Sequence, residues 1–364
     1  MTHYRLPFFE ALRVALAERG CELEVAYGEG FDAEAGKRDS GDLPWGKRLR
    51  TRYFAGGRIC WQPFGSLMRR ADLVVIAAEN KLIYNLWVQW RHRVRVILWG
   101  HGANLQGDPT SLRERFKRRV ALRADWWFGY TEHSRPLIRA TGFPPERITV
   151  LNNSVDTNEM RAQSARATPD SLAAMRAQLR LQPGPVGIFV GSLYEEKRIE
   201  FLLEAGQRLH DRVPAFQLVI VGSGPQQALV EAFCRDNGAW AHYAGVLKGQ
   251  AKVNALALSD VLLNPGLVGL GILDSFVVGV PMVTTDCGLH SPEISYLEHG
   301  QNGLMTADDM DRFVESVEDL LLRPEERARL AAGCVASAAN YTVENMARRF
   351  AEGITACLRA PQLR

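Results

Sequence analysis

A chain of 364 residues is long for one domain and comfortable for two. Its composition is that of an ordinary soluble globular protein, with no low-complexity segment or short repeat. The net charge of +3 is unevenly spread: residues 1–157 carry 25 Lys+Arg against 17 Asp+Glu, and residues 158–364 carry 19 against 24. Balances of +8 and −5 fit either a solvated basic face on the first half or an anionic partner for it: membrane surface, lipid phosphate, acidic glycan or nucleic acid.

The six cysteines show neither CxxC pairs nor zinc spacing, so free thiols in a reducing cytoplasm are expected. The first residues hold Arg5, Pro7 and Glu10 rather than an apolar run, so no signal peptide is expected. The most apolar stretch, Val261 to Val283, is broken by Asn264, Asp274, prolines and glycines, which suits a strand, loop and buried helix.

In chain order, residues 7–19 predict an amphipathic helix and Glu22–Tyr27 a strand. Residues 28–58, rich in Gly, Asp and Arg, predict a long loop. Leu73–Ala77 is a short apolar run of buried parallel-strand type, followed by a helix over Asn80–Trp90. Val94–Trp99 predicts a strand, Ser111–Arg123 a basic helix, Trp126–Tyr130 a strand, His133–Ala140 a short helix and Ile148–Leu151 a strand. Residues 158–184 are expected to be a linker containing a helix. A second alternating series then places strands near 186–190, 217–221, 241–244, 261–263 and 281–284, with a closing helix over Val343–Leu358. The alternation implies an α/β protein with two doubly wound parallel sheets. One departure is the start, where helix-forming sequence stands at Pro7 instead of the buried strand that usually opens such a half.

Several strand ends carry glycines. Gly191-Ser192-Leu193 precedes Lys197; Val221-Gly222-Ser223-Gly224-Pro225 closes the next strand, and Gly245 the one after. Gly266 through Pro281 forms a Gly-rich loop and helix containing Asp274, and Glu293 and Asn302-Gly303 follow. In the first half, strand ends carry Gly100-His101-Gly102 and Leu151 through Asp156. Taken in order, this set resembles the retaining glycosyltransferases of the GT-B fold, family 4, over nearly the whole chain and most strongly over 186–304. The resemblance implies two Rossmann-like domains facing across a cleft. It divides the chain into an acceptor-side domain over 1–157, a linker over 158–184, a nucleotide-sugar domain over 185–340 and a helix over 341–364 returning to the first domain.

The resemblance also assigns roles. Lys197 is expected to neutralise the diphosphate leaving group, a task suited to a flexible ammonium. The family's usual Arg stands where this chain has Ser192, and Arg198 is expected to compensate. Asp274, one methylene shorter than the family's Glu, is expected to accept hydrogen bonds from the ribose hydroxyls; as an acid near a helix start it also suits the helix dipole. The family places a second acid eight residues earlier, and here that position is Gly266. Donor-sugar recognition is then expected from the backbone N–H groups of Leu267, Val268, Gly269, Leu270, Gly271 and Ile272, or from residues elsewhere, with Gly191, Gly222, Gly245 and Glu293 completing the donor site. His101 is expected to orient the donor sugar, with domain closure bringing it there, and Glu79, Glu132 and Arg5 to serve the acceptor side. Asp309-Met310-Asp311 spells a metal-binding Asp-x-Asp, but it precedes a helix whose N-terminus those acids complement. No essential metal or cofactor is expected.

The resemblance implies transfer of a sugar from a nucleotide-diphosphate donor to a glycan or lipid-linked hydroxyl, in the assembly of surface polysaccharide or glycolipid. The expected setting is cytoplasmic, peripheral at the inner face of the membrane. Some of the basic clusters at Lys47–Arg52, Arg91–Arg95 and Arg113–Arg123 are expected to face anionic membrane or a lipid-phosphate acceptor; nucleic acid is the alternative, but no recognition motif supports it. A nucleotide-sugar 2-epimerase and a non-catalytic nucleotide-sugar-binding subunit are the alternatives.

Overall fold

The structure is a computed structural model that describes residues 3–29, 41–79, 81–91, 94–102 and 112–363. It divides into two compact units, residues 1–156 with 342–364, and residues 157–341.

The first unit opens with α1 (Leu6–Ala17). Short strands β1 (Ala26–Tyr27) and β2 (Lys47–Arg48) pair in parallel, and β3 (Arg52–Phe54) and β4 (Ile59–Trp61) form an antiparallel hairpin. The strand expected over Glu22–Tyr27 is thus two residues long and lies outside the main sheet. Its preceding charge is used otherwise, for the Glu24 carboxylate pairs with Lys47 at 2.8 Å and Arg70 at 2.6 Å. The expected loop over 28–58 holds β2 and β3 in its described part, each paired with a strand just beyond its ends, and residues 30–40 lie outside the described residues. After α2 (Gly65–Met68), a four-stranded parallel sheet is built from β5 (Leu73–Ala77), β6 (Arg95–Gly100), β7 (Trp126–Gly129) and β8 (Ile148–Val150), in chain order. The crossovers are α3 (Ile83–Arg91), α4 (Leu112–Ala121) and α5 (Ser134–Arg139).

Parallel strands laid down in one direction by right-handed crossovers put every crossover helix on one face. Alternate residues of each strand then serve opposite faces. Val96, Leu98 and Trp127 pack with Tyr84 and Val88 of α3 and Ile138 of α5, whereas Ile97, Trp126 and Phe128 face the other way. That second face is closed by α1 together with the C-terminal helix Val343–Arg359, whose Phe350 touches the rings of Phe8 (5.4 Å), Trp99 (5.2 Å) and Phe128 (4.4 Å). Gly353 permits the approach, because a Cβ there would lie 2.3 Å from the Phe128 ring.

The second unit begins with α6 (Asn158–Ala165) and α7 (Pro169–Gln178). The segment expected as a linker is therefore two packed helices. Met160 and Met175 are buried, and a Thr168–Ser171 capping box fixes the start of α7. The sheet strands are β9 (Val186–Val190), β10 (Gln217–Val221), β11 (Ala241–Gly245), β12 (Val261–Leu263), β13 (Met282–Thr285) and β14 (Gly303–Thr306), in spatial order β11-β10-β9-β12-β13-β14. Chain direction across the sheet reverses between β9 and β12, the place where ligands of open α/β sheets bind. The helices are α8 (Ile199–Arg212), α9 (Gln227–Asp236), α10 (Gly249–Ala257), α11 (Ile272–Val278), α12 (Met310–Leu322) and α13 (Pro324–Ala338). Asp309 caps α12, accepting from the Arg312 amide at 2.9 Å, and Asp311 pairs with Arg208 at 2.7 Å.

Truncating the ring that joins the C-terminal helix to the first sheet tests this packing. Phe350→Ala is expected to lower unfolding free energy by about 3–5 kcal/mol in urea titration. A loss under about 1 kcal/mol would mean that the helix does not carry that core.

Candidate functional site

The C-terminal ends of β9, β10 and β11 are laced together by backbone. Gly191 N–H donates to Val221 O (3.0 Å), Gly222 N–H to Gly245 O (2.8 Å), and Leu193 N–H to Ser223 O (2.9 Å). The Tyr243 hydroxyl donates to Gly222 O at 2.8 Å. Glycine is required at 222: its φ is +145°, and a Cβ would sit 1.8 Å from Gly191 O.

A 3₁₀ turn over Glu195–Lys197 follows, and Arg198 leaves it in the left-handed region at φ +55°. A non-glycine residue there is strained, and the turn holds because both basic side chains are fastened across the switch point. The Lys197 ammonium runs beside Gly191 and donates to Leu267 O, the loop after β12. Burial pushes its pKa down to about 8. The Arg198 guanidinium donates to Thr285 Oγ1 (3.1 Å), lies 3.5 Å from Pro265 O and pairs with Asp308. Its charge is thus already engaged by an acid within the unit, and Ser192, where the family's arginine would stand, is exposed.

The loop between Pro265 and Gly271 is packed down on this turn. Leu267 N–H donates to Glu196 O at 2.8 Å, and a Cβ on Gly266 would meet Glu196 O at 2.4 Å and Lys197 O at 2.6 Å. The backbone therefore excludes an acid at 266. Val268 is clamped from the other side: its N–H donates to His290 Nδ1 (3.1 Å), and its carbonyl accepts from Ser291 N–H (2.9 Å). With Nδ1 accepting, His290 Nε2 carries the proton and donates to Thr285 O at 2.7 Å. Burial lowers the His290 pKa and keeps this neutral tautomer. Glu293, buried in the turn Pro292–Tyr296, stands two residues beyond Ser291.

Six backbone N–H groups were expected to face the donor sugar, and three are already engaged: Leu267, Val268, and Ile272, which donates to Gly269 O at 3.2 Å. Among the described residues, the amides of Gly269, Leu270 and Gly271 have no acceptor. Asp274 lies in the first turn of α11, where its Oδ2 accepts from Lys252 Nζ of α10 at 3.0 Å. Neither Lys252 nor His290 was singled out in the sequence. The Lys252 pairing spans 22 positions and has no local pattern, whereas His290 stands three residues before Glu293, itself a candidate donor-site residue.

The first unit holds a separate cluster at its own strand ends. His101 follows β6 and tilts against the Tyr130 ring at 4.4 Å. Arg5 donates to Asn153 Oδ1 at 2.7 Å, with its guanidinium 5.4 Å from the Trp99 ring and 5.8 Å from that of Tyr130. Arg5 and His101 thus share Tyr130 as neighbour. Glu79 pairs with Lys81 at 3.3 Å and Glu132 with Arg135 at 2.9 Å, both exposed. Of the basic clusters, His92 and Arg93 lie outside the described residues.

Because the 266 position is closed by backbone, Gly266→Glu is expected to displace the 265–271 loop. Limited proteolysis should speed up there, and any nucleotide-dependent rise in Tm should disappear. An unchanged digestion pattern would contradict the close packing.

Residues 8–159 match Glycosyltransferase Family 4, and residues 184–323 match Glycosyl transferases group 1. A GDP-mannose-dependent alpha-(1-6)-phosphatidylinositol monomannoside mannosyltransferase of Mycolicibacterium smegmatis is 25% identical over 248 residues, 65% of this chain and 63% of that protein. The chain thus spans just under two thirds of that relative. The Mycobacterium tuberculosis H37Rv protein of the same description is 26% identical over 71% of this chain and 69% of its own. Among solved structures, a glycosyltransferase from Rickettsia africae aligns with TM-score 0.72 and 13% identity, over 98% of this chain and 95% of that one. Anabaena HepE in complex with UDP-glucose aligns with TM-score 0.65 and 16% identity over 96% of both. The two family matches lie one on each unit and together take in most of the sequence, and the structural likenesses carry the GT-B fold: the chain belongs to the group 1 glycosyltransferases of family 4 type.

Proposed function

We propose that the protein is a retaining glycosyltransferase that moves a sugar from a nucleotide-diphosphate donor to a hydroxyl of a glycan or lipid-linked acceptor, without an essential metal. The observation that carries this is the Lys197 ammonium, half-buried at the β9/β12 switch point and bonded to Leu267 O, in the same loop whose Gly269, Leu270 and Gly271 amides have no acceptor among the described residues. A desolvated cation and fixed N–H dipoles suit a departing diphosphate, because they need no reorganisation as charge develops. Asp274 takes the ribose hydroxyls, with Lys252 holding its carboxylate in one orientation. Gly191, Gly222 and Gly245 let the backbone approach the nucleotide, and Glu293 supports the loop that carries the amides. His101, with Arg5, Glu79 and Glu132, serves the transfer from the first unit.

The mannosyltransferase relatives are named for a phosphatidylinositol acceptor and for GDP-mannose. A lipid-linked acceptor fits the basic balance of residues 1–157. The corresponding setting is cytoplasmic and peripheral, on an anionic membrane face; no described helix is long and apolar enough to cross a membrane. A nucleotide-sugar-binding subunit without transfer is the second reading, favoured by one observation, the closed position at Gly266.

A thermal-shift panel with UDP, GDP, ADP, GDP-mannose and UDP-glucose tests the donor site. One nucleotide series should stabilise the wild type, by about 2.7 kcal/mol at a hundredfold excess over Kd, and neither Lys197→Ala nor Asp274→Ala. No shift from any nucleotide on folded protein would sink the donor-site assignment. A shift without transfer to any lipid or glycan acceptor would favour the second reading.

The lowered pKa of Lys197 gives a pH signature. Between about 8 and its ordinary value of 10.5, the unfolded chain keeps a proton that the folded chain has lost. The ligand-free protein therefore gains stability from this group as pH rises through that window, and below it bears the full cost of the buried charge. A bound diphosphate favours the ammonium. Nucleotide affinity should then fall above pH 8, by at most about tenfold per pH unit, with proton uptake seen by calorimetry in buffers of different ionisation enthalpy. Lys197→Met should flatten that slope, and an equal slope in both proteins would exclude Lys197 as its source.

A further inference from the structure

Helix α3 is apolar on two faces. Tyr84 and Val88 are buried in the first unit's core, while Ile83, Trp87 and Trp90, at positions i, i+4 and i+7, form an outward stripe 36%, 40% and 43% exposed. The β3–β4 hairpin continues this surface. Cys60 N–H donates to Lys81 O at 2.7 Å, and the Trp61 ring meets Tyr84 edge-on at 5.1 Å. Tyr84 in turn touches Trp87 at 5.0 Å, and Ile59 and Trp61 are each 37% exposed. Indole and branched aliphatic side chains left in water at this density mark a surface that something covers.

The rim of the patch is cationic. The Arg123 guanidinium stacks 3.9 Å from the centroid of the Trp90 ring. Residues 43–71, which include the hairpin, hold one Lys and six Arg with no Asp or Glu; Lys47 and Arg70 are paired with Glu24 and Arg48 with Asp42, while Arg50, Arg52, Arg58 and Arg69 have no carboxylate partner among the described residues.

We infer that the outward face of α3 and the β3–β4 hairpin form the docking surface for an anionic lipid bilayer, with the tryptophans at headgroup depth and the arginines on lipid phosphates. Tryptophan favours that interface, where one end of the ring is apolar and the other wet, and flanking arginines add attraction to acidic headgroups. A second copy of the chain fits poorly, because a two-fold contact of this face with itself sets like charges against each other. This deepens the lipid-linked acceptor proposed above, and it is read by binding rather than by transfer.

The full chain is to be floated with vesicles of phosphatidylcholine alone and with phosphatidylglycerol added. Wild type should float with the anionic vesicles and not with the neutral ones. Trp87→Ala/Trp90→Ala should weaken binding by at least about tenfold, and Arg58→Gln and Arg123→Gln by roughly fivefold each, with circular dichroism unchanged. Brominated acyl chains should quench the wild-type tryptophan fluorescence, a readout that needs no variant. Absence of flotation, flotation indifferent to lipid charge, or full binding by the tryptophan variant would overturn the proposal. So would tryptophan-dependent self-association without vesicle binding. Vesicle binding by a protein that no nucleotide stabilises would leave this surface standing and remove the donor-site assignment instead.

Discussion

The loop from Pro265 to Gly271 lies so close to the Glu195–Arg198 turn that no side chain fits between them at residue 266. Much of the second unit's site follows from this contact. It brings the carbonyls of Pro265 and Leu267 within reach of two cations from the neighbouring strand end and desolvates Lys197, whose pKa drops accordingly. It takes up the Leu267 amide, and with the His290 clamp the Val268 amide, while those of Gly269, Leu270 and Gly271 have no acceptor among the described residues. An acid at 266 would have to break this packing, so its absence and the tight loop are one feature.

Around the switch point the charges of Arg198 and Asp274 are compensated by ion pairs, whereas Lys197 has no carboxylate partner among the described residues. Arg198 is balanced by Asp308 and Asp274 by Lys252. Lys197 has a carbonyl partner, which orients the ammonium without cancelling its charge. A desolvated cation held by a dipole is costly in the empty protein and gains most when an anion arrives, the condition under which electrostatic stabilisation of a leaving group is large.

In the first unit a topological rule sets the surface. Four parallel strands in sequential order send α3, α4 and α5 to one face, and the opposite face is completed by α1 and a helix from the far end of the chain. The strand ends beneath that helix gather Arg5, Trp99, His101 and Tyr130, although these come from distant stretches of sequence. On the crossover side, α3 packs by one face and presents indoles on the other, a surface that burial within this unit does not explain.

The sequence by itself determined the alternation of strands and helices, because short apolar runs and their glycine ends are set by local burial and turn geometry. Val186–Val190, Gln217–Val221 and Val261–Leu263 stand where their patterns put them. The glycine series and Lys197 likewise marked one strand-end region, since a backbone that must approach a neighbour or a phosphate needs residues without Cβ. What escaped the sequence depends on partners far along the chain. Residues 158–184 read as a linker because their few buried methionines carry weak periodicity, yet tertiary contacts make them two packed helices. β14 is flanked by polar turns and draws its strand character from pairing with β13. Nothing local to Arg198 shows its pairing with Asp308, 110 positions away, and nothing local to Asp274 shows its pairing with Lys252. Only the tertiary structure decided these, because an ion pair between distant residues or a backbone contact that excludes a Cβ leaves no periodicity to read.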